Sequence, residues 1–171
     1  MPTVIQESDV LKRVDLIVSL ADSISGGVAN NFTMQFKLNH LKQYNDREIY
    51  LVLDNGVFIP TLEVNDNLFP VILTCDGIQK ENDIQGTKAP NMLCFIRYDR
   101  SATASTTRSN HNFTQMIGDF NFVYPLRCIP EDRLTFKLLE NDYSLADTIG
   151  GAQLYSAIHL KFTLYIMKQK R

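Results

Sequence analysis

Tryptophan is absent from the chain, and no apolar stretch is long enough to cross a bilayer. The longest such run, Val71-Ile72-Leu73 approached through Leu68-Phe69-Pro70, falls far short of the ~20 residues a membrane span requires. No membrane span is expected. The opening Met1-Pro2-Thr3-Val4-Ile5-Gln6-Glu7-Ser8-Asp9 has neither a basic start nor an apolar core before its first acidic residues, so it does not resemble a secretory signal. The expectation is a product made and kept in the cytoplasm or nucleus.

Histidine and cysteine are scarce too. His40, His111 and His159 are scattered with no H-x-x-x-H or H-E-x-x-H spacing, so neither the sequence pattern of a zinc site nor the ligand cluster of a cupin enzyme is present. Cys75, Cys94 and Cys128 form no C-x-x-C pair and sit in or beside apolar runs, which is the pattern of small buried hydrophobes in a reducing compartment. No G-x-S-x-G elbow, P-loop or G-x-G-x-x-G occurs. The expectation is a protein with no catalytic residues, no metal and no cofactor.

Charge of one sign is also missing. Seventeen basic residues against nineteen acidic ones leave a net charge of -2, and the sole basic cluster is Lys168-Gln169-Lys170-Arg171. Affinity for phosphate backbones needs many Lys or Arg contacts, so no direct specific nucleic-acid binding is expected. Acidic residues at Glu63 and Asp66, and at Asp76, Glu81 and Asp83, suit loop geometry better than a calcium site. The triplets Asn31-Phe32-Thr33 and Asn112-Phe113-Thr114 match glycosylation acceptors, but without a signal peptide they carry no such role.

What the sequence does have is alternation with period two. Ile158, Leu160, Phe162, Leu164 and Ile166 alternate with His159, Lys161, Thr163 and Tyr165, which places five apolar side chains on one face of a half-buried strand. Phe32, Met34, Phe36 and Leu38 do the same, as do Leu134, Phe136 and Leu138. Further segments rich in β-branched and aromatic residues span 14–20, 47–53, 68–75, 92–98 and 119–124, giving eight predicted strands.

The predicted breaks are Gly26-Gly27, Asp54-Asn55-Gly56, Asp76-Gly77 and Gly150-Gly151, with a bend between Pro125 and Pro130. Helical periodicity is weak, with short turns possible over 4–11 and 142–155. Connections of about ten to twenty residues exceed those of tight hairpins, so successive strands are expected to cross between sheets. The predicted fold is all-β, a single jelly-roll sandwich of two four-stranded antiparallel sheets. The alternative, an immunoglobulin-like sandwich, lacks its hallmark tryptophan.

A chain of 171 residues suits one domain. The expected division is an N-terminal arm over 1–12, the jelly roll over 13–167 and a basic tail over 168–171. The Ser/Thr/Ala-rich segment 99–112 is expected to be an exposed loop, presenting Arg100, Thr106, Arg108 and His111.

The segment Val14-Asp15-Leu16-Ile17-Val18-Ser19-Leu20-Ala21-Asp22-Ser23, a small polar and glycine loop, and then Asn31-Phe32-Thr33-Met34-Gln35-Phe36 resemble the start of single-jelly-roll penton, or minor capsid, proteins of virophages and polinton-like double-stranded DNA viruses. Residues 133–142 and 160–166 resemble the closing strands of that family. The resemblance implies a structural protein of the virion. Five copies would form a homopentamer at an icosahedral capsid vertex and abut neighbouring major capsid protein capsomers. The arm and tail would serve as assembly contacts: Val4, Ile5, Val10, Leu11, Lys12, Lys168, Lys170 and Arg171.

Two other classes compete. A lectin-like or carbohydrate-binding β-sandwich would use exposed aromatics, with Tyr44, Tyr50, Tyr98 and Tyr155 as candidates. A metal-dependent jelly-roll enzyme is the second.

Overall fold

The computed structural model describes residues 5–28, 30–60, 71–81, 91–96, 111–112, 122–139 and 155–169. Its strands are β1 (Val10–Ser19), β2 (Ser25–Val28), β3 (Asn31–Gln35), β4 (Ile49–Pro60), β5 (Val71–Asp76), β6 (Met92–Ile96), β7 (His111–Asn112), β8 (Phe122–Leu126), β9 (Arg133–Leu139) and β10 (Tyr155–Met167). Short 3-10 segments at Glu7–Asp9, Leu20–Asp22 and Asn39–Tyr44 are the only helical elements among the described residues.

Every pairing is antiparallel. The first sheet runs β1-β10-β4, and the far edge of β4 is shared by β8 and β7 laid end to end. β8 lies against residues 49–53, and β7 against Val57 and Phe58. The second sheet runs β3-β9-β5-β6, with the short β2 added outside β3. Each sheet therefore has four principal strand positions, as the alternation predicts.

The two sheets bury their inner faces against each other. All five apolar residues of the β10 alternation are buried, Ile158, Leu164 and Ile166 completely. They meet Phe32 and Met34 of β3, and Leu134, Phe136 and Leu138 of β9, in one continuous core. Phe136 stacks on its sheet neighbour Phe32 at 5.4 Å between ring centroids, and across the sandwich on Phe162 of β10 at 6.0 Å. The outer face of the second sheet carries polar pairs: Thr33 and Thr135 share a hydrogen bond of 2.9 Å, and Lys137 Nζ lies 2.6 Å from Asp76 Oδ2.

Cys75 and Cys94 are buried free thiols, and Cys128 is half-buried. Burial pushes the Cys75 and Cys94 thiols far up, with the neighbouring Asp76 adding to the effect at Cys75. They pack as neutral small hydrophobes.

Three local expectations change. Asp54-Asn55-Gly56 is not a turn, because β4 runs straight through it. β10 pairs Lys161 with Asn55 and Phe162 with Leu53, which leaves Asp54 as the extra residue of a bulge. Pairing along a 13-residue neighbour overrides the local turn propensity of that triplet. Gly26-Gly27 lies within β2 rather than breaking the chain. The expected bend between Pro125 and Pro130 is present at Arg127 and Cys128, with Pro125 itself inside β8, a position that an edge strand accommodates. Of the segment 99–112, His111 and Asn112 form β7 and the rest lies outside the described residues.

The Asp76-Gly77 turn does form where it is predicted, and Gly77 is required there. Its φ is +99°, and a Cβ at this position would lie 2.6 Å from the Arg133 carbonyl oxygen and 2.9 Å from Leu134 Cδ2. Gly77→Ala is expected to lower stability by about 2–3 kcal/mol through combined strain and clash, read by chemical denaturation. Phe136→Ala, which empties the centre of the cross-sheet stack, is expected to cost about 3–5 kcal/mol in the same assay.

Candidate assembly surface

The two chain ends come together along one side of the sandwich. β1 pairs with β10 from Val10 opposite Met167 to Ser19 opposite His159. Beyond that ladder the Lys168 N–H donates to the Asp9 carbonyl at 2.8 Å, and its ammonium donates to the Ser8 carbonyl at 2.6 Å. The Met167 N–H donates to the Glu48 carbonyl at 3.0 Å. Of the residues expected to act as arm and tail, Val10, Leu11, Lys12 and Lys168 thus lie near one another at one end of the first sheet.

Of these, Val10, Leu11 and Lys12 belong to β1 rather than to a free arm, so the ordered domain begins before residue 13. Their ladder contains a bulge, with Val10 opposite Met167 and Lys12 opposite Ile166. Ile5 is half-buried and Lys168 exposed; Val4, Lys170 and Arg171 lie outside the described residues. Of the four loop residues, Arg100, Thr106 and Arg108 also lie outside them, and His111 begins β7, opposite Phe58 of β4.

The sequence analysis did not single out the exposed face of β1. Burial along β1 alternates, so Leu11, Arg13, Asp15 and Ile17 face outward while Leu16 and Val18 enter the core. Leu11 is 45% exposed, Ile17 58%, and Ile24, just past the turn that leaves β1, 52%. These are the large exposed hydrophobics among the described residues, gathered on β1 and its exit. Exposed apolar groups set together on a strand at a sheet edge are a feature of contact surfaces. The spacing Leu11-x-Arg13-x-Asp15-x-Ile17 is visible in the sequence, but only the strand's edge position makes it a surface.

A polar cluster fixes this edge strand to its neighbours. Thr163, on the outward side of β10, is completely buried beneath flanking side chains. Its hydroxyl lies 3.1 Å from Asp15 Oδ1 on β1 and also meets Asp54 Oδ2 on the β4 bulge. A hydroxyl has a single proton to donate, so further positive charge is needed between the two carboxylates. Lys161 supplies it, at 3.4 Å from Asp15 and 3.9 Å from Asp54. Arg13 Nε lies 3.3 Å from Asp15 Oδ1, and its guanidinium sits 5.9 Å from the centre of the Tyr165 ring.

Partial desolvation pushes the Asp15 carboxyl up, but the hydrogen bonds from Thr163, Arg13 and Lys161 and the Lys161 charge outweigh it, leaving Asp15 below its ordinary value. The same pairing with Asp15 raises Arg13. The bulge at Asp54 is what brings the second carboxylate to Thr163, so the turn-like triplet has a structural role within the strand.

Other polar groups have partners of their own. Asp132 anchors the chain after β3: its Oδ1 accepts from the N–H groups of Leu38 at 2.7 Å and Asn39 at 2.9 Å. Tyr124 donates to the Leu93 carbonyl, and Lys80 donates to the Met92 carbonyl at 2.7 Å. Tyr44 packs against the core and the Tyr50 hydroxyl donates to Glu48; the side chains of Tyr98 and Tyr155 lie outside the described residues. Among the described residues no group of three or more His, Cys, Asp or Glu side chains is placed to hold a metal, and no helix is long and apolar enough to cross a membrane. No protein-family model and no curated protein matches the chain.

A carboxyl held down in the folded state contributes stability above its unfolded value and loses it as pH falls through its folded value. Asp15 is therefore expected to titrate below an unfolded aspartate, and Thr163→Val to move its midpoint up. Carboxyl NMR titration of both proteins reads this directly. An Asp15 midpoint unmoved by Thr163→Val would mean that Arg13 and Lys161 hold the charge without the hydroxyl.

Proposed function

We propose that the chain is a structural capsid protein, a single jelly roll that assembles as pentameric vertex capsomers of an icosahedral double-stranded DNA virus. It acts by building rather than by catalysis, uses no cofactor, and has as partners itself and the neighbouring major capsid protein capsomers.

The observation that carries this reading is the nesting of the strand pairs. β1 pairs with β10, β3 with β9, β4 with β7 and β8, and β5 with β6. Such nesting is what one long hairpin rolled into a sandwich would give, and it supports a jelly roll of the kind used in viral capsids. Lectin and cupin domains share the architecture, so the pattern alone does not choose among them. The choice of an assembly role rests on the resemblance of the β1–β3 and closing-strand segments to penton proteins. The exposed apolar side chains on β1 add support, since such groups are a feature of a surface that meets other protein.

Rotational closure through a head-to-tail interface requires the same two patches on every subunit. The expected outcome is a species of five 19.5 kDa chains in light scattering after gel filtration at high protein concentration. Its averaged electron micrographs are expected to be fivefold rings. A chain that stays monomeric or dimeric at every concentration and ionic strength, and binds immobilised glycans, would transfer the assignment to a carbohydrate-binding module.

A further inference from the structure

β1 is the outermost strand of the first sheet, and among the described residues no strand pairs with its outer edge. It is ten residues long, with Leu11 in a bulge at its start and a regular ladder from Lys12 to Ser19, and such an edge offers a row of backbone donors and acceptors to another strand. We infer that this edge takes β1 of a second copy of the chain, antiparallel, with Val14 facing Val14 across a two-fold axis.

The choice of a second copy rests on the outward face of β1 being complementary to itself in that register. Leu11 then lies opposite Ile17 of the second copy, and Arg13 opposite Asp15. The axis repeats both pairs. The two exposed hydrophobics of the strand, at 45% and 58% exposure, cover each other twice, and two opposite-charge pairs form between them.

Other registers lack this match. A slip of two residues in one direction sets Arg13 against Arg13, and in the other sets Asp15 against Asp15. Like charges directly opposite on adjacent strands are destabilising. A slip of one residue brings outward side chains against inward ones.

The division of roles follows from the energetics. Arg13 already bonds Asp15 of its own chain at 3.3 Å, so reaching the Asp15 of a second copy adds little attraction; the charges select the register. Affinity comes from burying Leu11 and Ile17 and from the new backbone ladder. The Thr163 and Lys161 contacts to Asp15 hold that carboxylate in place before the second copy arrives, which lowers the ordering cost of association. This pairing goes beyond the capsid reading and does not depend on it, since it needs only the β1 edge.

The test uses the full chain with Cys128→Ser, which removes the half-buried thiol and leaves the buried Cys75 and Cys94. Leu11→Cys protein is mixed with 15N-labelled Ile17→Cys protein and oxidised mildly, and mass spectrometry separates mixed from like disulfides. The expected product is the mixed disulfide. Like disulfides in equal or greater yield, or no disulfide, overturn the register.

In parallel, Ile17→Lys, checked for folding by circular dichroism, is expected to weaken self-association at least about tenfold in sedimentation. Arg13→Asp is expected to weaken it, and adding Asp15→Arg to restore it by reversing both charges of each pair. A pentamer whose mass is indifferent to Ile17→Lys overturns the β1 pairing and leaves the vertex reading standing. A dimer that Ile17→Lys dissociates supports the pairing and counts against the vertex reading.

Discussion

The last strand of the chain is the one the others depend on. β10 lies between β1 and β4 in the first sheet and supplies the buried side chains of Ile158, Leu160, Phe162, Leu164 and Ile166. Without it β1 has no partner, β4 keeps only its edge neighbours, and Phe136 loses the ring that joins the sheets. Because β10 spans Tyr155–Met167, β1 must wait for a partner some 140 or more positions further along the chain. Nested pairing places the most distant segments together, and such long-range contacts must be reached against the entropy of closing large loops. The stacked rings of Phe32, Phe136 and Phe162 bring three of these distant segments to one point.

An edge strand anchored on one side only is the part of a sheet most prone to fray. Here β1 is held by more than its ladder. The buried Thr163 hydroxyl lies between carboxylates on β1 and β4, with Lys161 beside it, so three adjacent strands share one polar cluster on the outer face. The cluster depends on the bulge, since a regular β4 would not supply Asp54 as an extra residue opposite β10. At the other end of the strand the Lys168 contacts to Ser8 and Asp9 close off the ladder.

The strands were legible where one face is buried and the other wet. In β3, β9 and β10 the alternation of Phe32, Met34, Leu134, Phe136, Leu138 and the five β10 residues gave both the element and its inward face, because period two is a direct consequence of strand geometry. The Asp76-Gly77 turn was legible for an equally local reason, a positive φ that favours glycine. Asp54-Asn55-Gly56 misled because the same local chemistry suits a bulge, and only the partner strand decides which one forms. Sheet order was not written in any single segment, since nothing in β1 alone says that it will pair with residues some 150 positions away. The same gap hid the candidate surface. Leu11 is expected from the sequence as an arm contact and Ile17 as an ordinary strand hydrophobic, and their exposure on one face follows from the place of β1 at the edge.

Exposed edges in monomeric proteins are commonly guarded by charge, and the kind of guard matters. A strand bearing charges of a single sign repels every copy of itself, in any register. The outward face of β1 carries one of each sign at Arg13 and Asp15, flanked at equal distance by Leu11 and Ile17, and such an arrangement sets like charges opposite each other in the two registers slipped by two residues from the self-complementary one. The bulge at Val10 to Lys12 limits how far the regular part of the edge extends, which further narrows the alignments open to an incoming strand. Mixed charge on an exposed edge thus acts on alignment more than on attraction, since it penalises the neighbouring registers of a paired copy without adding much to the favoured one.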